Sequence, residues 1–171
     1  YMKQGYLLFV HRRFQRSADR FAQALRISNN DTYVWAETQA RLIETRLRLG
    51  WMQGLEQDVE RFLIIAQRNS DIHHMAYATY AAGLWLMMQQ QYQEASYRLR
   101  TAQALAASCG DKELLASSLE HHGFVLFLIE DWSKACFLQE RLIHFYDVRE
   151  LYTQKLVAEL RLRCSQILDS G

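Results

Sequence analysis

Apolar side chains recur at helical spacing along the whole chain, in stretches parted by short polar breaks. Three breaks fall at a fixed interval: Asn29-Asn30-Asp31, Asn69-Ser70-Asp71 and Cys109-Gly110-Asp111, so their aspartates stand 40 residues apart twice in succession. An aspartate directly before an amphipathic stretch can accept hydrogen bonds from the free N–H groups of a helix start. A second break falls between them, at Gly50-Trp51, Gln90-Gln91-Tyr92 and Glu130-Asp131-Trp132, and once earlier at Arg12-Arg13-Phe14. Each unit therefore reads helix, tight turn, helix, loop. The pattern predicts helix pairs over about 1–11 with 14–28, 32–49 with 51–68, 72–89 with 91–108, and 112–129 with 131–147. A ninth helix is predicted over about 149–168, where Leu151, Leu156, Leu160 and Ile167 alternate with Glu159, Arg161 and Arg163, as suits a cap covering the last pair.

Packing positions recur with the same period. Gly5, Ile43, Gly83 and Gly123 share one slot, followed by Phe14, Met52, Tyr92 and Trp132. Next come Ser17, Leu55, Ala95 and Ala135, then Phe21, Val59, Leu99 and Gln139, then Ala24, Phe62, Ala102 and Leu142. Small residues at the first, third and last slots let two helices approach closely, and large ones fill the gap between. Ile43, Leu55, Phe62, Gln139 and Leu142 depart from this preference, which predicts less ideal packing in the second and fourth units.

Composition sharpens the picture. The chain has 171 residues and no proline, where average usage would supply about eight or nine. Half the residues are apolar and 23% are charged, a globular composition. The net charge of +1 creates no field favouring nucleic acid or a membrane. Basic residues crowd the first half, and Arg12, Arg13, Arg16 and Arg20 form either a solvated face or a docking patch for an acidic partner. Cys109, Cys136 and Cys164 contain no CxxC pair and read as reduced thiols of a cytoplasmic protein. The longest apolar run, Ala76 to Met88, is too short to span a bilayer. The chain opens in mid-pattern at Tyr1-Met2 and is read as part of a longer protein.

Catalytic signatures are missing: no G-x-S-x-G, no phosphate-binding loop and no dinucleotide fingerprint occurs. His73-His74 and His121-His122 are adjacent pairs without a ligand at i+4, so neither makes a zinc face. Cys136 has no base at a fixed spacing, and Glu130-Asp131 reads as a turn opening a helix. The expectation is a non-enzyme with no cofactor and no metal.

The unit from Ala76 to Cys109, with Gly83, Leu86, Tyr92, Ala95, Leu99 and Ala102 at matching offsets, resembles a tetratricopeptide repeat, departing from it at Thr79, Ala82 and Gln90. The resemblance covers nearly the whole chain in four units of about 40 residues rather than the usual 34. Such lengthened repeats are similar to those of large bacterial transcriptional regulators, among them the maltose-regulon activator and related ATP-dependent activators, and peptide-sensing regulators. Proline commonly closes the standard unit; here that slot is Ala107, inside a longer second helix. The resemblance implies an all-α fold, a right-handed superhelix of antiparallel helix pairs, with four pairs plus a C-terminal capping helix. It implies a single domain over 1–171, with units of about 1–30, 31–70, 71–110 and 111–148.

In such a fold the first helix of each pair lines the concave face. The resemblance then places Glu44 and Arg48 of unit two, Tyr77, Tyr80, Leu84, Met87 and Met88 of unit three, and Glu120, Phe124 and Phe127 of unit four along one groove. This aromatic and methionine-rich strip suits an apolar or amphipathic segment of a protein or peptide. The implied function is a non-catalytic binding scaffold within a bacterial regulatory protein, acting in transcription regulation. Three alternatives stay open: ordinary core between helices, a self-association surface giving a homo-oligomer, and a ligand-sensing pocket. Nucleic acid and membrane are not expected partners. The two-carboxylate clamp of chaperone-binding tetratricopeptide domains needs Lys, Asn and Arg where this chain has Glu44, Glu120 and apolar residues. Arg41 and Arg48 could hold one carboxylate, or pair with Glu37 and Glu44 at helical spacing.

Overall fold

The turn inside each unit is built the same way four times. Arg12, Gly50, Gln90 and Glu130 adopt left-handed backbone with φ of 57, 71, 61 and 62°. The N–H after each reaches back five residues: Arg13 to Leu8 O, Trp51 to Arg46 O, Gln91 to Leu86 O and Asp131 to Leu126 O, all at 2.8–3.0 Å. This bond satisfies a carbonyl that the ending helix leaves free and reverses the chain. The loops between units end in side-chain caps. Asp71 accepts from the His74 N–H at 3.0 Å and Asp111 from the Leu114 N–H at 2.9 Å. Thr32 caps the second unit, accepting from the Trp35 N–H at 3.2 Å; Asp31 lies outside the described residues.

The computed structural model describes residues 1–29, 32–148 and 152–170. Among them are nine helices and no strand: α1 (Met2–Val10), α2 (Phe14–Ile27), α3 (Tyr33–Arg48), α4 (Leu55–Asn69), α5 (Ile72–Met88), α6 (Tyr92–Ser108), α7 (Lys112–Leu128), α8 (Trp132–Val148) and α9 (Tyr152–Asp169). Neighbours in sequence pack as antiparallel neighbours in space, and α3, α5 and α7 also touch one another in order. The result is an α-solenoid with α1, α3, α5 and α7 as one layer and α2, α4, α6 and α8 as the other. Ala107 lies within α6, so proline there would break the helix. The start of α4 departs from the pattern, which put it at 51. Gly54 is left-handed with φ of 71°, so the helix begins only at Leu55. Arg46 pins the intervening turn by donating to the Gln53 carbonyl at 2.6 Å and pairing with Asp58.

Glycine sets how closely the paired helices approach. A methyl group built on Gly83 would stand 2.8 Å from Leu99 Cγ, and one on Gly5 2.7 Å from the Phe21 ring. At Gly123 it would meet the Gln139 carboxamide at 2.6 Å. The second unit reverses the sizes, with Ile43 in the glycine slot and the smaller Val59 opposite. Here α3 and α4 keep further apart, and Ile43, Leu55 and Phe62 fill the space fully buried. The pair is thus looser than the others, in line with the expectation, while its large residues remain buried. In the fourth unit Leu142 is likewise buried, while Gln139 is 2% exposed with no partner for its side-chain oxygen.

The last helix packs along α8, but through a face other than the expected one. Among its described residues Ala158 and Ser165 are buried, whereas Leu156, Leu160 and Ile167 are exposed. Small side chains let α9 lie close on its neighbour, which turns the leucines outward; Leu151 lies outside the described residues.

A polar contact joins α6 to α7 inside the stack. His122 is buried, taking a hydrogen bond at Nδ1 from the Gln103 amide and placing Nε2 on Ser96 Oγ, both at 2.9 Å. Burial, helped by the Arg100 charge, pushes its pKa down to about 4, so the folded protein holds a neutral imidazole.

Two outcomes follow. Gly83→Ala should overpack the α5–α6 contact and lower stability by about 1–3 kcal/mol, a fall of several degrees in Tm. Adding Leu99→Val, the solution seen at Ile43 and Val59, should recover part of that loss in urea and thermal melts. Equal melting of Gly83→Ala and the parent would refute the contact. Because the folded pKa of His122 lies below the unfolded one, stability is complete above pH 6.5 and drains as pH falls toward 4. The loss is on the order of 3 kcal/mol. Urea melts from pH 7 to 4.5 should show it, with a flatter profile for His122→Asn.

Candidate binding groove

The layer of first helices carries a ladder of polar groups over an apolar floor. On α3, Glu37, Arg41, Glu44 and Arg48 follow helical spacing and face the same way. Glu44 is the hub. Arg41 Nη1 donates to its Oε2 at 3.1 Å and Arg48 Nη2 to its Oε1 at 3.4 Å. Tyr80 OH donates to Oε2 from α5 at 3.3 Å, and His121 Nε2 of α7 lies 3.9 Å from Oε1. Arg41 also reaches across α5 to Ser117 Oγ of α7 at 3.5 Å. Three helices thus meet on one carboxylate.

Electrostatics follow from this crowding. Burial alone would raise the Glu44 carboxyl, but Arg41, His121 and Arg48 outweigh it and hold the pKa below its ordinary value. Burial opposes the Arg41 charge as well, and Glu44 overcomes it, so the guanidinium is held above its usual value. Glu37, without such close cations, is raised by its burial despite Arg41. Burial keeps the Tyr80 phenol well above its usual value and therefore protonated. Further along α5, Tyr77 OH donates to Asp111 Oδ2 at 2.7 Å, so the residue that caps α7 also ties it to α5.

Above this ladder opens a cavity of about 260 Å³ lined by Glu44, Leu47 and Arg48 of α3, Leu84, Met87 and Met88 of α5, Glu120, His121 and Phe124 of α7, and Arg161 of α9. Seven of the ten sequence-derived groove positions meet here. Tyr77 and Tyr80 do not: at 1% and 0% exposure they are core beneath the groove, their hydroxyls bonded to Asp111 and Glu44. Phe127 lies in a neighbouring cavity. Met88 and Phe124 remain 44% and 45% exposed, the apolar groups most open to a partner. The same face continues toward the N-terminus as a wider opening of about 890 Å³ with Met2, Tyr6 and Val10 of α1, Glu37 and Arg41 of α3, and Gln154 of α9.

Three lining residues, Leu47, His121 and Arg161, lie outside those ten positions. His121 sits at the groove spacing set by Ser117, Glu120 and Phe124, so helical periodicity was signal enough to find it. Arg161 was hidden, because nothing local says that α9 turns back toward α7, where Arg161 Nη1 donates to Glu120 Oε1 at 2.9 Å.

The arrangement answers the question of a carboxylate clamp. Arg41 and Arg48 both bond Glu44, and Arg161 bonds Glu120, so each of these cations already has a carboxylate, although the Arg48 side chain stays 45% exposed. What it offers a partner is apolar area bordered by paired charge, which suits a segment with an apolar face. The basic cluster sits elsewhere: Arg12, Arg13 and Arg16 are exposed around Phe14, and Arg20 bonds Gln23 and lies 5.8 Å from the centre of the Tyr1 ring.

No family model and no curated protein matches this sequence. Among solved structures, it is similar to a Signal Transduction ATPase with Numerous Domains protein from Pyrococcus horikoshii, described as having a tetratricopeptide repeat sensor. The superposition has a TM-score of 0.73 at 11% identity and covers 97% of this chain but 26% of the other. The chain thus spans about a quarter of that protein's length, and likeness at this identity concerns architecture alone. The architecture is a tetratricopeptide-like α-solenoid of lengthened helix pairs.

Proposed function

We propose that this chain is a non-catalytic recognition module that holds an apolar or amphipathic segment of a protein or peptide in its concave groove. The observation that carries this reading is the cavity joining α3, α5, α7 and α9, with Met88 and Phe124 exposed over charges already paired. A groove whose arginines already bond carboxylates gains less from a free anion than one with unpaired cations would. It gains by covering its apolar side chains, and methionine adapts to irregular partners. The similar archaeal protein carries its repeats as a sensor, which supports a sensing role within a larger regulatory protein. The lengthened repeats support a transcriptional regulator of bacterial type. Three free cysteines fit a cytoplasmic setting. Among the described residues no helix is long and apolar enough to cross a membrane.

The test is a peptide library selected against the wild-type protein. Selected peptides should be amphipathic and bind Met88→Glu and Phe124→Glu variants about tenfold or more weakly. Circular dichroism and Tm should stay unchanged, since both side chains are already exposed. Selection of no peptide, or undiminished binding by both variants, would remove the groove from consideration. Light scattering of the same samples tells a groove that binds partners from one that buries itself against a second copy.

A further inference from the structure

The slot that faces glycine holds Phe21, Val59 and Leu99 in three units and Gln139 in the fourth. A glutamine amide in an apolar slot needs partners, because an unpaired buried polar group is costly. Gln139 is 2% exposed, yet its side-chain oxygen has none. The same residue lines a cavity of about 320 Å³ at the junction of α7, α8 and α9, large enough for a small ring system. Phe124, Phe127, Val157 and Leu160 supply its apolar walls, and Ser165 and the exposed Cys164 lie at its α9 side. Phe124 and Arg161 line this cavity and the groove alike, so the two are continuous.

We propose that this cavity is a binding pocket for an aromatic group bearing one N–H or O–H, which donates to the Gln139 carbonyl. The pocket deepens the groove reading, since a side chain of the bound segment can enter it, but it stands without that reading if the aromatic group belongs to a free small molecule. The two phenylalanines favour an aromatic ring, through edge and face contacts, over an aliphatic one. Gln139 lines the cavity, and the last torsion of its side chain is soft, so on binding the carboxamide turns to present its oxygen there. The donor then satisfies an oxygen that the fold leaves unpaired. Glutamine at this slot is thereby explained by recognition, where leucine would have served packing.

The probes are indole, 1-methylindole, which keeps the ring and lacks the donor, and the blocked tripeptide acetyl-Ala-Trp-Ala-amide. Indole should raise Tm in a saturable way and slow alkylation of Cys164 by iodoacetamide, read by peptide mass spectrometry. 1-Methylindole should bind wild type about five- to tenfold more weakly, the worth of one hydrogen bond. Gln139→Leu, which copies Leu99, should fold with an unchanged or higher Tm and bind both indoles equally. Tripeptide binding at least as tight as that of indole assigns the pocket to a side chain of the groove's segment. Indole binding alone assigns it to a free aromatic. Equal binding of both indoles to wild type, no saturable shift, or no protection of Cys164 would overturn the proposal. The groove would be untouched by that result, because the peptide selection does not depend on Gln139.

Discussion

The close approach of paired helices at one glycine slot governs this structure. At Gly5, Gly83 and Gly123 the facing side chain fills the space where a β-carbon would stand. That contact fixes the separation within each pair, and helix separation in turn sets how the next pair seats. In the first unit it is reinforced by Ser17 Oγ donating to the Gly5 carbonyl at 2.8 Å. The second unit shows that the constraint is on combined volume rather than on glycine itself. Ile43 with Val59 satisfies it by opening α3 from α4, and Leu55 and Phe62 occupy the added width. The fourth unit satisfies volume but not polarity, and there the cavity beside Gln139 opens.

The concave face is organised by a different constraint, the cost of burying charge. Glu44 and Arg41 are nearly inaccessible, and burying either charge without the other would be strongly destabilising. Each is stabilised by the other, and Arg48, Tyr80 and His121 complete the carboxylate's surroundings. Replacing such a pair with apolar residues often preserves stability, so its consequence lies more in what it specifies. It ties α3 to α5 and α7 in one register, and it buries Arg41 while leaving Arg48 partly open at the groove. The exposed methionine and phenylalanine then dominate what the groove presents.

Sequence periodicity carried a large share of this fold. The 40-residue spacing of Asp71 and Asp111, the paired breaks and the glycine slots located most helices to within a residue or two, because caps and tight turns are local chemistry. It missed the delayed start of α4, where Gly54 intervenes, and it misread which side of α9 is buried. Of the groove positions, the apolar strip on α5 was the hardest to divide. Tyr77, Tyr80, Leu84 and Met88 lie on one helix within four turns, yet the first three are buried and the last is exposed. Periodicity gives a face; it does not give the depth at which a neighbouring helix covers it.

What the sequence determined alone was therefore the repeat, the helical pairs and the layer that lines the concave side, since each follows from contacts within about 40 residues. Only the tertiary structure decided which residues of that layer reach solvent, that Arg161 returns to Glu120 across 41 positions, and that Gln139 sits beside an apolar cavity with an unpaired oxygen. The physical reason is packing between helices distant in sequence. How deeply each helix face is covered, and where α9 lies on α8 beside α7, depend on packing between helices that no single segment encodes.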